Sequence, residues 1–139
     1  METELAELLR GVSHRLRRGY GERFGPLGLT PGQVRALRVI ADAEPPLRMV
    51  QLAETLRIVP RSVTPVVDAL EEAGLVRREV DPANRRSTLL VLTPEGRERY
   101  EQVREARRQA AEELFSVLTP DQREQLRGLL SLVEGRSAQ

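Results

Sequence analysis

The stretch from Leu52 to Thr93, LAETLRIVPRSVTPVVDALEEAGLVRREVDPANRRSTLLVLT, decides the fold. Leu52, Ala53 and Leu56, with Met49 just upstream, recur at helical spacing until Arg57-Ile58-Val59-Pro60 interrupts them. Val63, Val66, Val67 and Leu70 then form a second stripe, which Gly74 ends as a residue able to turn left-handed just past a helix. Two short helices joined by a tight turn are predicted. Beyond them Val76 to Val80 and Thr88 to Leu92 are rich in Val, Leu and Thr and flank the segment Asp81 to Ser87, whose Asp-Pro and Asn are turn formers. That pattern predicts a β-hairpin with a seven-residue, arginine-bearing loop. Helix, turn, helix and hairpin follow each other in the order of a winged helix-turn-helix, whose second helix enters the major groove while the wing reaches the adjacent minor groove. Ala53 is small where the two helices must approach closely. Arg61, Ser62 and Thr64 stand at the start of the second helix, the end aimed at base edges and phosphates. Ser62 has an equal claim to be an N-cap, which would place Pro65 at the third helical position, where a missing N–H costs nothing.

Outward from this centre the chain is helical on both sides. Leu5, Leu8, Leu9, Val12 and Leu16 predict an amphipathic helix that runs to about Arg18, before Gly19, Gly21 and Gly25-Pro26 break it. At Leu29-Thr30-Pro31-Gly32-Gln33 a Thr can cap, a Pro fits the first helical position, a Gln completes a capping box and Leu29 can staple onto Val34. The helix so begun carries Val34, Leu37, Ile40 and Ala41 on one face and ends at Glu44-Pro45-Pro46. The same Thr-Pro device recurs at Thr93-Pro94, opening a long helix with Tyr100, Val103, Ala110, Leu114 and Leu118. It recurs once more at Thr119-Pro120, opening a last helix with Leu126, Leu129, Leu130 and Val133. About six helices and one hairpin make a mainly α chain with a small β wing. The apolar stripes of the first and last helices lie at opposite ends of a chain whose middle already forms a complete motif, so they call for another surface, and exchange with a second copy supplies one. Packing within the chain as a helical cap is the simpler alternative. Residues 1–28 and 94–139 are accordingly expected to build a dimer, and residues 29–93 the DNA-binding lobe.

Composition narrows the function. The 139 residues are 40% hydrophobic and 31% charged but only 3% aromatic, so one aliphatic core beneath a heavily charged surface is expected. With no Cys and a single His, the chain has no means of disulfide, thiolate or cysteine-oxidation chemistry and almost none of building a histidine-rich metal site. No G-x-G-x-x-G, no G-x-x-x-x-G-K and no convergent nucleophile and base occur, so neither an enzyme nor a cofactor is expected. The apolar runs are far shorter than the roughly 20 residues that span a bilayer, and METELAELLR carries acids where a signal peptide carries bases, which predicts a soluble cytoplasmic protein without membrane contact. Net charge is only +1, but every one of the 22 basic residues is Arg. Its planar fork grips phosphate or a guanine edge at two points, so Arg77-Arg78 and Arg85-Arg86 are candidate nucleic-acid contacts on a nearly neutral protein.

Over nearly its whole length the chain resembles the MarR (multiple antibiotic resistance regulator) family of bacterial transcription factors. LAETLRIVPRSVTPVVDALEEAGLVRRE is similar to the family's helix-turn-helix and first wing strand. DPANRRSTLLVLT is similar to its wing signature of an acid, any residue, Arg, five residues and Leu-Thr, with Arg86 as the signature Arg and Leu92-Thr93 as its end. The resemblance implies that Arg86 enters the minor groove. It also implies an acid two positions earlier to orient it, where this chain has Asn84, leaving Asp81 or the Asn84 carbonyl as substitutes. Pro65 is a second departure, at a place in the recognition helix where the family often has Arg. Further implications are a triangular homodimer joined through its terminal helices and a small-molecule pocket between that interface and the DNA-binding lobe.

The expected function is therefore a homodimeric regulator, most simply a repressor, that binds a pseudo-palindromic operator on double-stranded DNA through Arg61, Ser62, Thr64, Asn84, Arg85 and Arg86 and is released by a small-molecule effector. His14, Arg17 and Arg18, with Tyr20 just beyond, could face an effector such as an aromatic acid, although a lone helical His is more often a surface or packing residue. A winged helix that docks on protein rather than DNA is the rival reading, since winged helices also serve that purpose and net charge is near zero. Guanidinium groups at both groove-reaching points favour DNA.

Overall fold

The computed structural model describes residues 1–135. Helix α1 (Glu2–Phe24) leads through a 3-10 turn (Gly25–Leu27) to α2 (Pro31–Asp42), and a two-residue strand β1 (Leu47–Arg48) precedes α3 (Met49–Leu56). Next come α4 (Pro60–Glu72), the hairpin strands β2 (Val76–Asp81) and β3 (Asn84–Leu92), α5 (Pro94–Leu114), a second 3-10 turn (Phe115–Val117) and α6 (Pro120–Glu134). The mainly helical winged helix-turn-helix with six helices is thus present. The three strands form one antiparallel sheet in the order β1-β3-β2.

Local chemistry explains most boundaries. Thr30 and Thr119 each accept the backbone N–H of a Gln three residues on, whose side chain accepts the Thr N–H in return. Each capping box satisfies two backbone donors that a helix start would leave bare. Thr93 caps α5 by accepting from Gly96 at 3.0 Å, and its hydroxyl donates to the Gly74 carbonyl at 2.5 Å. Gly74 has φ +76°, and Leu75 N–H bonds the Leu70 carbonyl across it at 2.9 Å, the closure a left-handed residue after a helix permits.

Four sequence expectations are corrected. First, α1 does not stop near Arg18 but continues through Gly19 and Gly21 to Phe24. Packing offsets the glycine penalty, because a Cβ at position 19 would already lie 3.4 Å from that of Ala110 on α5. Second, Asp81 pairs with Asn84, so the wing turns over Pro82-Ala83 instead of a seven-residue loop. The register shift between Val80 and Asp81 leaves Arg85, Arg86 and Ser87 opposite no residue of β2, a bulge on the wing rather than part of a loop. Third, α4 begins at Pro60 with Val59 as N-cap, so Ser62 is its third residue and not its cap. Pro65 lies in the helix interior, where it withholds the N–H that would bond the Arg61 carbonyl. Fourth, α5 ends at Leu114, and Leu118 lies past the 3-10 turn. Strand β1, which pairs Leu47 with Leu90 and Arg48 with Leu89, has no counterpart in the sequence pattern.

The core joins α2, α3, α4, the sheet and the first half of α5. Leu37, Leu52, Val63, Val67, Leu70, Leu75, Val76, Leu90 and Val103 are fully buried, and Phe24 is its one buried aromatic. Each such aliphatic side chain contributes about 1.5–3 kcal/mol on leaving water. Helix α5 meets this lobe at a close backbone approach, since a Cβ on Gly96 would fall 2.0 Å from the Leu75 carbonyl oxygen. Helix α1 runs antiparallel to α5. Arg99 on α5 donates to the Leu27 carbonyl at 2.6 Å, the Arg107 guanidinium lies 5.3 Å over the Tyr20 ring, and Arg23 pairs with Glu113. The exposed side of α5 is laced by ion pairs of Arg104 with Glu101 and of Arg108 with Glu105 and Glu112, at the i,i+3 and i,i+4 spacings that neighbour on a helix.

Candidate nucleic-acid interface

Helix α4 keeps Val63, Val67 and Leu70 in the core, and this fixes what its other face presents. Arg61, Ser62 and Thr64 are all exposed at its first two turns, at the helix end whose unpaired N–H groups and dipole favour anions. Asn84, Arg85 and Arg86 are exposed on the wing. The turn that carries them is held by side chains: Asp81 Oδ1 accepts from Ala83 N–H at 2.9 Å and Asn84 Oδ1 from Arg86 N–H at 3.1 Å. Neither acid nor amide orients the Arg86 guanidinium. Asn84 therefore acts on the Arg86 backbone, and Asp81 is committed to the turn.

Ion pairing separates the arginines into two groups. Arg77 pairs with Glu79 at 2.8 Å, and Arg78 forks onto Asp68 at 2.6 Å and Glu71 at 2.7 Å, both on α4. Partial burial works against the charge of Arg78, but the hydrogen bonds and charges of the two carboxylates outweigh it and raise its pKa. Arg77-Arg78, a candidate contact by sequence, is thus engaged within the protein. Arg61, Arg85 and Arg86 have no carboxylate within ion-pair distance among the described residues. Arg57, in the turn between α3 and α4, likewise has none, and it adopts φ +56°, a left-handed backbone that a side chain makes costly. The positive φ could not be seen in the sequence, where an Arg gives no sign of it.

The suggested ligand residues are not gathered. His14 and Arg17 are exposed and stand apart from the cleft that Arg18 lines with Arg15, Glu22, Arg23 and Glu113 between α1 and α5, a space of about 270 Å³. Tyr20 is half-buried, stacked on Phe24 with ring centroids 5.9 Å apart. A larger open cleft of about 490 Å³ lies where α2 and the end of β3 meet α5, lined by Asp42, Leu92, Arg97, Tyr100, Glu101 and Arg104. Tyr100 donates to Asp42 Oδ1 at 3.1 Å, and burial followed by that hydrogen bond raises its pKa. The sequence pattern placed Tyr100 on an apolar stripe, which concealed its polar edge.

An exposed recognition-helix start, a bulged basic wing and a short third strand define a winged helix-turn-helix DNA-binding protein. The MarR family pattern matches residues 29–88. A putative transcriptional regulatory protein for the hcr operon of Thauera aromatica is 32% identical over 141 residues, covering 92% of this chain and 84% of that protein. The chain belongs to the MarR family. Wild-type MarR of E. coli superposes with a TM-score of 0.84 at 30% identity, over 93% of this chain and 95% of that one. A MarR family protein of Mycobacterium tuberculosis, solved in complex with DNA, superposes with a TM-score of 0.78 at 27% identity, over 93% and 96%. The protein is a transcriptional regulator and not an enzyme. Among the described residues no helix is long and apolar enough to cross a membrane.

Proposed function

We propose that the chain acts as a homodimeric repressor on a pseudo-palindromic operator, with residues 29–93 as the reading lobe and residues 1–28 and 94–139 as the pairing limbs, of which 136–139 lie outside the described residues. The observation that carries the DNA reading is the uncompensated charge of Arg61, Arg85 and Arg86 at both groove-reaching points, beside Arg77 and Arg78 whose charge is already met. Arg61, Ser62 and Thr64 address the major groove, and Arg85 and Arg86 the minor groove, with Asn84 holding the backbone of Arg86. Support for the dimer comes from Leu5, Leu8, Leu9 and Val12 on α1 and Leu129, Leu130, Leu132 and Val133 on α6, all exposed in the single chain. Release by a small molecule is assigned to the cleft around Arg97, Tyr100 and Arg104, where Arg97, with no carboxylate in ion-pair distance among the described residues, supplies the charge for an aromatic acid beside the Arg104–Glu101 and Tyr100–Asp42 pairs.

The test uses duplexes selected from a random pool by the protein itself. Half-sites should lie about 10 base pairs apart centre to centre. Arg61→Ala should cost about 1–3 kcal/mol on the selected duplex and much less on scrambled DNA, while Arg86→Ala should lower both affinity and salt slope. Binding by both variants that matches wild type at two salt concentrations would favour the protein-docking alternative. Titration with benzoate should release the duplex, and unchanged binding at millimolar benzoate would remove the effector assignment.

A further inference from the structure

The wing has little to hold its direction. Strand β1 supports it only at Leu89 and Leu90, and past Leu89 the ribbon projects with Val80 64% exposed. A two-stranded ribbon by itself is marginally stable in water. Beyond the shared core at its base, a charged fork joins the wing to the recognition helix. Arg78, on β2 opposite the buried Leu90, extends one guanidinium nitrogen to Asp68 and the other to Glu71, residues three apart on α4. Two acceptors on one planar fork restrain rotation as well as distance, which a single contact would not. The Arg78 side chain is 26% exposed while Asp68 and Glu71 are 60% and 43% exposed, so the fork acts through its two-point geometry rather than through shelter from solvent.

We propose that Arg78 is a positioning residue for DNA binding: its fork locks the wing to the recognition helix, so that Arg85 and Arg86 are carried at a fixed offset from Arg61. Arg78 does not touch DNA itself. With the fork broken, the wing samples several directions and each binding event must order it again, a cost the intact protein has already met in folding. This proposal rests on the wing's contact with DNA, and the experiment keeps the two ideas apart.

The first measurement is amide hydrogen exchange of the free protein. In Arg78→Ala the wing amides from Val80 to Leu89 should exchange about tenfold faster while those of α5 remain as in wild type, the signature of local opening. The second is a double-mutant cycle on the selected duplex. Arg78→Ala should weaken binding about tenfold in the wild-type background and less than about threefold once Arg86→Ala has removed what the fork positions. Full multiplication of the two losses, with wing exchange unchanged, would mean that Arg78 contacts phosphate and would overturn the proposal. So would wild-type exchange together with wild-type affinity. Faster exchange beside an inert Arg86→Ala would uphold the fork and remove the wing's DNA contact. Asp68→Ala with Glu71→Ala breaks the fork from the helix side and should give the same faster exchange of the wing amides should Arg78→Ala fail to fold, wild-type exchange there overturning the proposal.

Discussion

The winged lobe and the terminal helices solve the same problem, covering apolar surface, at different levels of organisation. Within the lobe Leu37 and Leu52 are fully buried inside one chain. On α6 no residue is buried, and Leu132 and Val133 are 71% and 81% exposed. The first turns of α1 behave likewise, with Leu5, Leu8, Leu9 and Val12 all exposed. The lobe thus closes its core within one chain, with Phe24 of α1 and Val103 and Ala106 of α5 contributing to it, whereas the far ends of α1 and α6 leave their apolar stripes exposed.

Substitutions with opposite signatures sharpen that contrast. The largest effect belongs to the lobe, where Leu37→Ala should cost about 2–5 kcal/mol of folding stability, because transfer energy is lost and a cavity remains. Calorimetry at fixed protein concentration would show it, and a loss under about 1 kcal/mol would mean that the core rearranges freely. Next comes Leu8→Asp with Leu132→Asp, two positions already in water in the single chain. Sedimentation should shift from dimer to monomer, while helix content at high concentration changes little. A dimer that survives both charges places the interface elsewhere and restores the helical-cap alternative.

The smallest effect lies in the helix-turn-helix turn. Replacing Arg57 by Gly relieves a left-handed residue, and the greater freedom of glycine in the unfolded chain offsets part of that gain. A net stabilisation of about 1 kcal/mol at most should appear in urea denaturation. Destabilisation would show that the Arg57 side chain contributes contacts that outweigh its backbone cost.

Much of this architecture could be read from the sequence, because the stripes of α2, α3 and α4 and the three Thr-Pro openings are local signals whose outcome tertiary packing reinforced. What escaped was set by residues distant in the chain. Gly19 stays helical because Ala110 packs on it. Strand β1 exists because β3 offers a partner to Leu47 and Arg48, two residues too few to show an alternation. The Asp81–Asn84 pairing shortened the wing's turn and put Arg85 and Arg86 on a bulge. Among candidate site residues, the exposure of Arg61, Ser62 and Thr64 followed from the buried stripe of α4. The engagement of Arg78 did not, since its acceptors belong to a different element. Pro60 also mattered, by starting α4 early enough to deny Ser62 the cap.

The close approach at Gly96 has a mechanical consequence. With no room for even a methyl group between the start of α5 and the Leu75 carbonyl, the helix is seated directly on the backbone of the lobe, and a tilt of one is passed to the other. The 21 residues of α5, at about 1.5 Å each, form a lever about 31 Å long. One degree of tilt at its far end thus carries the lobe through about half an ångström. In the proposed dimer the distance between the two reading heads is in this way set by an angle at the limbs, and a tilt of a few degrees there displaces a recognition helix by an ångström or more.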